Sequence, residues 1–540
     1  MSAKGNNFLK GAAILSIAGI LVKLLGAVYR IPLSNIIQSE GMGYYQTAYP
    51  FYTLLLTLST AGIPVAIAKL VSENRAIGDH RSAYKVFKVA LAGLIIGGIL
   101  SSIFVGMSAK SIVDSLGNSN AYYALIALVP ALLFVPIMSA FRGLFQGRQT
   151  MTPTAVSQVI EQLFRVIAGL SLTYLLLGKG IPVAAGGASF GGSAGAIAGL
   201  IIIFIIYLRS RNSIHIEIAN SQIDRQYSTA KIVKDLLVIA IPITMGAAIA
   251  PIMDTIDAAL VLQRLQDISY TEAMANALYG ELKGMAQTLI NLPQVFSIAI
   301  SMSLVPSISD AFARNNRKDI RGLISSGIRL TLIVGLPCAF GLFVLSQPII
   351  NLLYFNNTAE TIQSTGEILA YLSFGVIFLT LVQALTAILQ GLGKSFIPAR
   401  NLFFGAVIKI ILTYSLVAVP SINIKGAAIS TVVVYATAAT LNFRAVIKHT
   451  KMKFDAKNIF LKPLISSLAM AIIVKLSYVL FDGILGSRLS TLVAIGIGVV
   501  AYAFFLLISG SINEDDLALV PKGDKIIRKF KLRRFRRFRR

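Results

Sequence analysis

Residues 144–166 read LFQGRQTMTPTAVSQVIEQLFRV, and residues 388–410 read ILQGLGKSFIPARNLFFGAVIKI. Each copy holds an apolar run ending in Gln-Gly, a short basic link, a Pro and a second apolar run. Each second run then carries a basic residue deep inside it, Arg165 in the first copy and Lys409 in the second. At 1.5 Å rise per residue, about 20 apolar residues cross the roughly 30 Å hydrocarbon core of a bilayer. Two such runs joined by a short basic elbow therefore read as a pair of membrane helices that turn in the cytoplasm.

The whole composition agrees. The chain has 540 residues, of which 56% are hydrophobic and only 13% charged, and its mean hydropathy is +0.76. Soluble domains carry about 25% charged residues, so the class is an all-α integral membrane protein. The period-2 alternation of a lipid-facing barrel is absent. Cys338 is the single cysteine and cannot form an intrachain disulfide. His80, His215 and His449 all fall in polar links, which leaves no membrane histidine relay and no HExxH-like metal site. No cofactor is expected. The first apolar segment lacks an A-x-A cleavage pattern and contains Lys23 and Arg30, so it reads as a retained helix rather than a signal peptide.

The apolar runs divide into spans at about 8–34, 44–70, 86–108, 121–145, 154–177, 181–208, 235–262, 284–308, 323–346, 366–390, 396–420, 424–447, 459–481 and 485–509. This predicts about fourteen transmembrane helices. Of the 49 Lys and Arg, six (Lys110, Lys179, Arg264, Lys283, Lys425, Arg488) fall on the outer side, and Lys23, Arg30, Arg165, Lys409 and Lys475 lie within spans. The rest cluster at the termini and in alternate links such as SENRAIGDHRSAYK (72–85) and FARNNRKDIRG (312–322). That bias places both termini of a multi-pass protein in the cytoplasm. The largest link, about 209–234, is too short for a soluble domain.

The elbow is not the only echo. AGIPVAIAKLVSENRAIGDHRSA (61–83) resembles LVPSISDAFARNNRKDIRGL (304–323), aligning Pro64 with Pro306 and Asp79-x-Arg81 with Asp319-x-Arg321. GAIAG (195–199) matches GAAIS (426–430). Two six-helix units result, about 8–208 and 235–447, followed by two extra helices. An even helix number per unit makes the repeats parallel, an arrangement found in secondary transporters. Duplication for packing alone is the bland alternative.

Charge inside the spans carries the functional signal. Counted from Pro153, Arg165 sits ~18 Å along its helix, near the bilayer centre. Gln158, Glu161, Gln162 and Arg165 form one polar stripe, with Glu161 and Arg165 an i,i+4 pair. A centred charge costs about 2.5–3.5 kcal/mol or more, so the stripe must face protein or water. It is either a structural ion pair or an anion-binding wall. Lys23 and Arg30 share a face of the first span, and Lys409 lies mid-way along the eleventh. The eighth span presents Gln287, Asn291, Gln294 and Ser301 as a polar stripe, and the seventh carries Asp254 and Asp257 towards its outer end. Lys475, near a helix end, reads as a snorkelling side chain. Four deep bases against the single deep acid Glu161 make the interior a site for an anion, with a phosphate or pyrophosphate the obvious biological one. The glycines 187, 191, 195 and 199 read as a small-residue packing face and not as a phosphate loop. The last stretch, KGDKIIRKFKLRRFRRFRR (522–540), suits the surface of anionic membrane lipids rather than nucleic acid, with solvated disorder as the alternative.

FRGLFQGRQTMTPTAVSQVIEQLFRV (141–166), GIPVAIAKLVSENRAIGDHRSA (62–83) and NLPQVFSIAISMSLVPSISDAF (291–312) together resemble the polysaccharide-transporter branch of the MOP superfamily. Within it the likeness is to the group of stage V sporulation protein B and the MurJ-type lipid II flippases, and it extends over essentially the full chain. The resemblance implies a V-shaped, two-lobed flippase, with an N-terminal lobe at 1–210 (helices 1–6), a C-terminal lobe at 211–450 (helices 7–12), helices 13–14 at 451–510 flanking a groove for the lipid tail, and a basic cytoplasmic tail at 511–540. It implies translocation of an undecaprenyl-pyrophosphate-linked saccharide, a cell-wall precursor such as lipid II or a related polysaccharide precursor, across the cytoplasmic membrane, with cell-wall synthesis proteins as candidate partners and no enzymatic step. Lys23 and Arg30 match basic positions of the family's first helix, whereas Thr57, Leu58 and Thr288 stand where MurJ-type proteins tend to have arginine. Substrate contacts are expected at Lys23, Arg30, Glu161, Arg165, Asn291, Gln294 and Lys409. Coupling is expected at Asp254, Asp257 and Lys409, the Lys409 ammonium taking the place of a bound sodium ion. Three rivals remain: a multidrug or organic-cation antiporter of the same superfamily, a membrane glycan-processing enzyme, and a non-transporting scaffold.

Overall fold

Proline and glycine punctuate an otherwise uniformly helical chain. The structure, a computed structural model, describes residues 3–223, 227–452 and 454–511. The chain divides into two compact units, Met1–Gly284 and Met285–Arg540. In the first, α1 (Ala3–Thr60), α2 (Ile63–Ala76), α3 (His80–Ser115), α4 (Tyr122–Ile126), α5 (Val129–Gly147), α6 (Thr152–Leu176), α7 (Ile181–Ala219), α8 (Thr229–Asp267) and α9 (Glu272–Tyr279) lead into a π-helical segment, Gly280–Ala286. In the second, α10 (Gln287–Asn291), α11 (Gln294–Ala313), α12 (Arg317–Val344), α13 (Ser346–Leu353), α14 (Ala359–Ser373), α15 (Gly375–Gly391), α16 (Phe396–Val417), α17 (Ile424–Thr450), α18 (Lys462–Leu485) and α19 (Ser487–Ser509) follow. Prolines open α2, α5, α6, α7 and α18, where the missing N–H would have no partner anyway.

Among the described residues, twelve helices are long and apolar enough to cross a membrane, or thirteen when α14 and α15, bent by 42° at their junction, count as one span. The chain is a multi-pass membrane protein. The expected fourteen is not reached on these criteria, and the first candidate shows why. It runs for 60 residues, Ile17–Ala76, which at 1.5 Å per residue is roughly 90 Å, about three times the hydrocarbon core. It is broken at Gln38, whose φ of 55° and ψ of −168° are not helical, in the gap where the sequence separates 8–34 from 44–70. The expected continuous span 284–308 is a second correction. Pro293 has no N–H to donate, and the helix stops at Asn291 and restarts at Gln294.

The duplicated elbow folds twice into one motif. In the first copy Arg148 N–H donates to Leu144 O, Gln149 N–H to Gln146 O and Thr150 N–H to Phe145 O, at 3.0, 2.9 and 2.9 Å. In the second, Leu392, Gly393 and Lys394 donate to Ile388, Gln390 and Leu389 at 3.0, 2.9 and 2.8 Å, position for position. The residue that turns the chain has positive φ in both, 61° at Gln149 and 72° at Gly393. The Gly of each Gln-Gly is pressed against the proline-bearing helix of its own unit. A Cβ on Gly147 would lie 2.7 Å from Val71 Cβ of α2, and one on Gly391 would lie 2.9 Å from Ile308 Cβ of α11. The α2–α3 and α11–α12 turns also repeat, with Asp79 N–H donating to Asn74 O and Asn316 N–H to Ala311 O. Their helix caps correct the sequence alignment: the counterpart of Asp79, which accepts from Ser82 N–H, is Asn316, which accepts from Asp319 N–H.

Each unit has its own apolar core. Tyr29, Ile67, Phe87 and Phe141 belong to the first and Leu304, Ile324, Leu336 and Ile388 to the second. Large apolar side chains such as Met107, at 84% exposure, point outward as a lipid-facing surface requires. The glycine ladder of α7 presses on α6: a Cβ on Gly191 would lie 2.5 Å from Arg165 O and one on Gly195 would lie 2.4 Å from Glu161 O. Only glycine permits that approach, which fixes the backbone behind the two charged residues of the first elbow helix.

Candidate functional site

Glu161 is held by two arginines, not one. Its Oε1 lies 3.2 Å from Arg165 Nη2, one helical turn on along α6, and its Oε2 lies 2.9 Å from Arg142 Nη2 on α5. The three side chains are 13–16% exposed. Arg142 also donates from Nε to Ser157 Oγ at 2.9 Å, and Arg165 from Nη1 to the Tyr49 hydroxyl at 3.2 Å. Tyr45, Tyr49 and Tyr52 follow one another along α1 with ring centroids 5.5 and 5.9 Å apart. Among the described residues, Arg165 Nε and the Tyr52 hydroxyl are buried polar atoms with no hydrogen-bond partner. The trio carries one net positive charge. At an effective dielectric of about 20, each charge pair at ~4 Å interacts by roughly 4 kcal/mol.

Lys23 and Arg30 adjoin this wall. They share one face of α1 with Gly26, and a Cβ on Gly26 would sit 3.4 Å from Gln162 Nε2 of the α6 stripe. Tyr29, next to Arg30, donates its hydroxyl hydrogen to Ala188 O of α7 at 3.1 Å and locks that part of α1 in place. Lys23 is exposed and Arg30 half-buried. The first unit thus sets Arg142 and Arg165 on the Glu161 carboxylate, with Lys23 and Arg30 on the adjoining face of α1. Sequence reasoning missed Arg142 because it lies five residues before Gly147, where positive charge near a cytoplasmic helix end needs no further account.

The second unit repeats the backbone with different side chains at these positions. Lys409 of α16, 8% exposed, occupies the position of Arg165, but Gly405 replaces Glu161 and Thr386 replaces Arg142. Asn401, in the place of Ser157, donates to Asn442 Oδ1 at 2.9 Å. Arg329 of α12 is a further buried base, 7% exposed, that the sequence reading had credited to a helix end.

Towards the C-terminal end of α8, the two aspartates of the expected coupling group have a lysine that the expectation did not include. Lys283 Nζ lies 2.7 Å from Asp257 Oδ2 and 3.5 Å from Asp254 Oδ1. Asp257 and Lys283 are buried, while Asp254 is 52% exposed. Within the first unit, Lys283 is thus a cation beside this aspartate pair. The π-helical segment accounts for the miss, because its extra residue per turn rotates Lys283 off the face that an α-helix would give it. Gln46 fixes the same segment by donating to Lys283 O at 2.7 Å. Asn291 and Gln294, expected on one helical stripe, instead flank the break before α11.

A separate network ties together the C-terminal ends of α2, α5 and α7 in the first unit. Glu217, in the last turn of α7, accepts from Arg148 of the elbow at 2.8 and 3.0 Å and from Arg75 of α2 at 3.1 Å, with His80 Nδ1 3.9 Å away. Bidentate guanidinium–carboxylate pairing of this kind fixes geometry as well as charge.

Comparison with known proteins gives a family. Residues 8–312 match the family described as polysaccharide biosynthesis protein, and residues 283–415 match the MatE family. The chain is 28% identical to the lipid II flippase MurJ of Bacillus subtilis (strain 168), over 91% of this chain and 90% of that one. It is 31% identical to stage V sporulation protein B of the same organism, over 79% and 80%. Its fold matches a solved structure of lipid II flippase MurJ in an inward closed conformation, with a TM-score of 0.69, 18% identity, and coverage of 92% of this chain and 98% of that one. The chain belongs to the polysaccharide biosynthesis protein family.

Proposed function

We propose that this protein is a flippase that carries an undecaprenyl-pyrophosphate-linked saccharide across the cytoplasmic membrane by alternating access. The observation that supports this reading is the positive charge on the first unit's wall, where Arg142 and Arg165 share Glu161 and Lys23 and Arg30 lie on the adjoining face of α1. A pyrophosphate needs several charge-assisted donors, and guanidinium forks supply them in pairs. The headgroup enters from the cytoplasmic face, engages these residues together with Lys409, and leaves outward while the lipid tail stays in the bilayer. Asn291 and Gln294 contribute neutral polar contacts to the sugar. A potential negative inside favours export by ~2.3 kcal/mol per charge per 100 mV. Both termini lie in the cytoplasm, with lobes at 1–210 and 211–450, and the basic tail, which lies outside the described residues, rests on anionic lipid. Coupling is assigned to Asp254 and Asp257 with Lys283 as their cation. No chemical step is required of the protein.

The MatE match over 283–415 supports a second reading, an organic-cation antiporter. Such a pump needs accessible carboxylates, and the buried Asp257 already carries Lys283. Complementation of a flippase-depleted cell decides between the two. The wild-type gene restores growth and clears the accumulated lipid-linked precursor, whereas Arg30→Ala and Arg165→Ala leave it accumulated although the protein reaches the membrane. Full activity in both variants, or drug efflux without precursor clearance, contradicts the proposal.

A further inference from the structure

Glu161 makes the contacts that a substrate phosphate would make. One oxygen meets Arg142 Nη2 at 2.9 Å and the other meets Arg165 Nη2 at 3.2 Å, so a single small anion bridges two guanidinium groups carried by different helices. Both arginines have a further tether that does not depend on it, Ser157 Oγ for Arg142 and the Tyr49 hydroxyl for Arg165. The backbone behind the bridge is clamped by the close approach of Gly191 and Gly195 of α7. The second unit keeps a buried basic residue, Lys409, at the position of Arg165 and has Gly405 at the position of Glu161. Two buried polar atoms beside the bridge, Arg165 Nε and the Tyr52 hydroxyl, have no hydrogen-bond partner among the described residues.

From this arrangement we propose that Glu161 is an internal stand-in for the substrate's phosphate: it bridges Arg142 and Arg165 in the empty protein and is displaced from at least one of them when a polyprenyl pyrophosphate binds. The inference rests on the flippase reading and deepens it. A carboxylate left between the arginines repels an incoming pyrophosphate, and one that swings away frees a guanidinium fork for it. Arg165 Nε and Tyr52 then supply two further hydrogen bonds that Glu161 does not use. The same carboxylate, on returning, competes with the phosphate and speeds its release. Glu161 is thus a positioning residue that sets affinity against turnover.

The test uses the full-length protein in nanodiscs of neutral phosphatidylcholine, titrated with farnesyl pyrophosphate and with farnesol as the uncharged control. Glu161→Gln binds farnesyl pyrophosphate about 3–10-fold more tightly than wild type, and farnesol equally. Glu161→Asp, which keeps the charge but is too short to reach both arginines, falls between the two and serves where the Gln variant does not fold. In transport assays Glu161→Gln lowers both KM and kcat, whereas a merely structural role lowers kcat without tightening binding. Unchanged or weaker binding by folded Glu161→Gln and Glu161→Asp overturns the inference. Arg142→Gln and Arg165→Gln separate it from its premise. If they bind farnesyl pyrophosphate as wild type does, the flippase site itself is wrong. If they lose tenfold or more while the Glu161 variants fail to tighten, only the stand-in role is lost.

Discussion

Arg165 and Lys283 are both buried cations, and their surroundings give them opposite expectations. Arg165 shares Glu161 with Arg142 and keeps a donor atom in reserve, so its removal leaves a carboxylate that still has a partner. Lys283 pairs with a buried Asp257, with Asp254 more distant. Removing one partner of a buried pair costs about 3–5 kcal/mol because the other charge is stranded. Lys283→Met is therefore expected to lower the thermal unfolding midpoint of the purified protein clearly, and Lys283→Met with Asp257→Leu to recover much of the loss. Equal midpoints for Lys283→Met and wild type contradict the assignment. Arg142→Ala is expected to reduce precursor transport at least as strongly as Lys23→Ala in a vesicle assay, because Arg142 is fixed by Glu161 and Ser157 whereas Lys23 is exposed. A transport rate for Arg142→Ala equal to wild type removes it from the site.

At the scale of elements, the elbow is the unit of repetition, and its two copies make a matched experiment. The turning residue has positive φ in each, but it is Gln149 in one and Gly393 in the other. Gly393→Val places a β-branched side chain where it is strongly disfavoured and is expected to cost more than 1 kcal/mol, whereas Gln149→Gly relieves a strained position and is neutral or mildly stabilising. Thermal melts of the two variants check the contrast, and equal shifts contradict it. The elbow was legible in the sequence because Gln-Gly, the basic link and the proline recur in one register and leave the same hydrogen bonds. The second repeated turn was legible only in outline. Asp79-x-Arg81 looks like Asp319-x-Arg321, yet a capping role needs a side-chain oxygen at the turn itself, and Asn316 supplies it three residues earlier. Hydrophobic continuity hid the break at Pro293, and a π-helical segment, which leaves no periodicity that an α-helical reading can follow, hid Lys283.

For the whole molecule, the two units carry unequal electrostatics on a shared plan. The first binds Arg142 and Arg165 to a carboxylate and ties the ends of α2, α5 and α7 through Glu217. The second carries Lys409 and Arg329 as buried bases on α16 and α12, with an apolar cluster of Leu304, Ile308, Leu392, Val446 and Met452. Composition and the repeat made the membrane class and the deep basic charge readable. The i,i+4 pair of Glu161 and Arg165 was readable too, but its second arginine was not, because Arg142 and Glu161 meet only through the packing of α5 against α6. Glu217→Gln is expected to loosen the joined ends of α2, α5 and α7, seen as faster hydrogen exchange in the segment 72–85; unchanged exchange there contradicts a fastening role for this acid. The central claim, that this wall carries a pyrophosphate-bearing lipid across the bilayer, is tested most directly by translocation of fluorescent undecaprenyl-pyrophosphate-linked saccharide in vesicles holding the purified protein. The account predicts protein-dependent transfer between leaflets that quickens with a potential negative on the loading side and is lost in Arg165→Ala. Transfer that is no faster than in protein-free vesicles, or that survives Arg165→Ala undiminished, contradicts it.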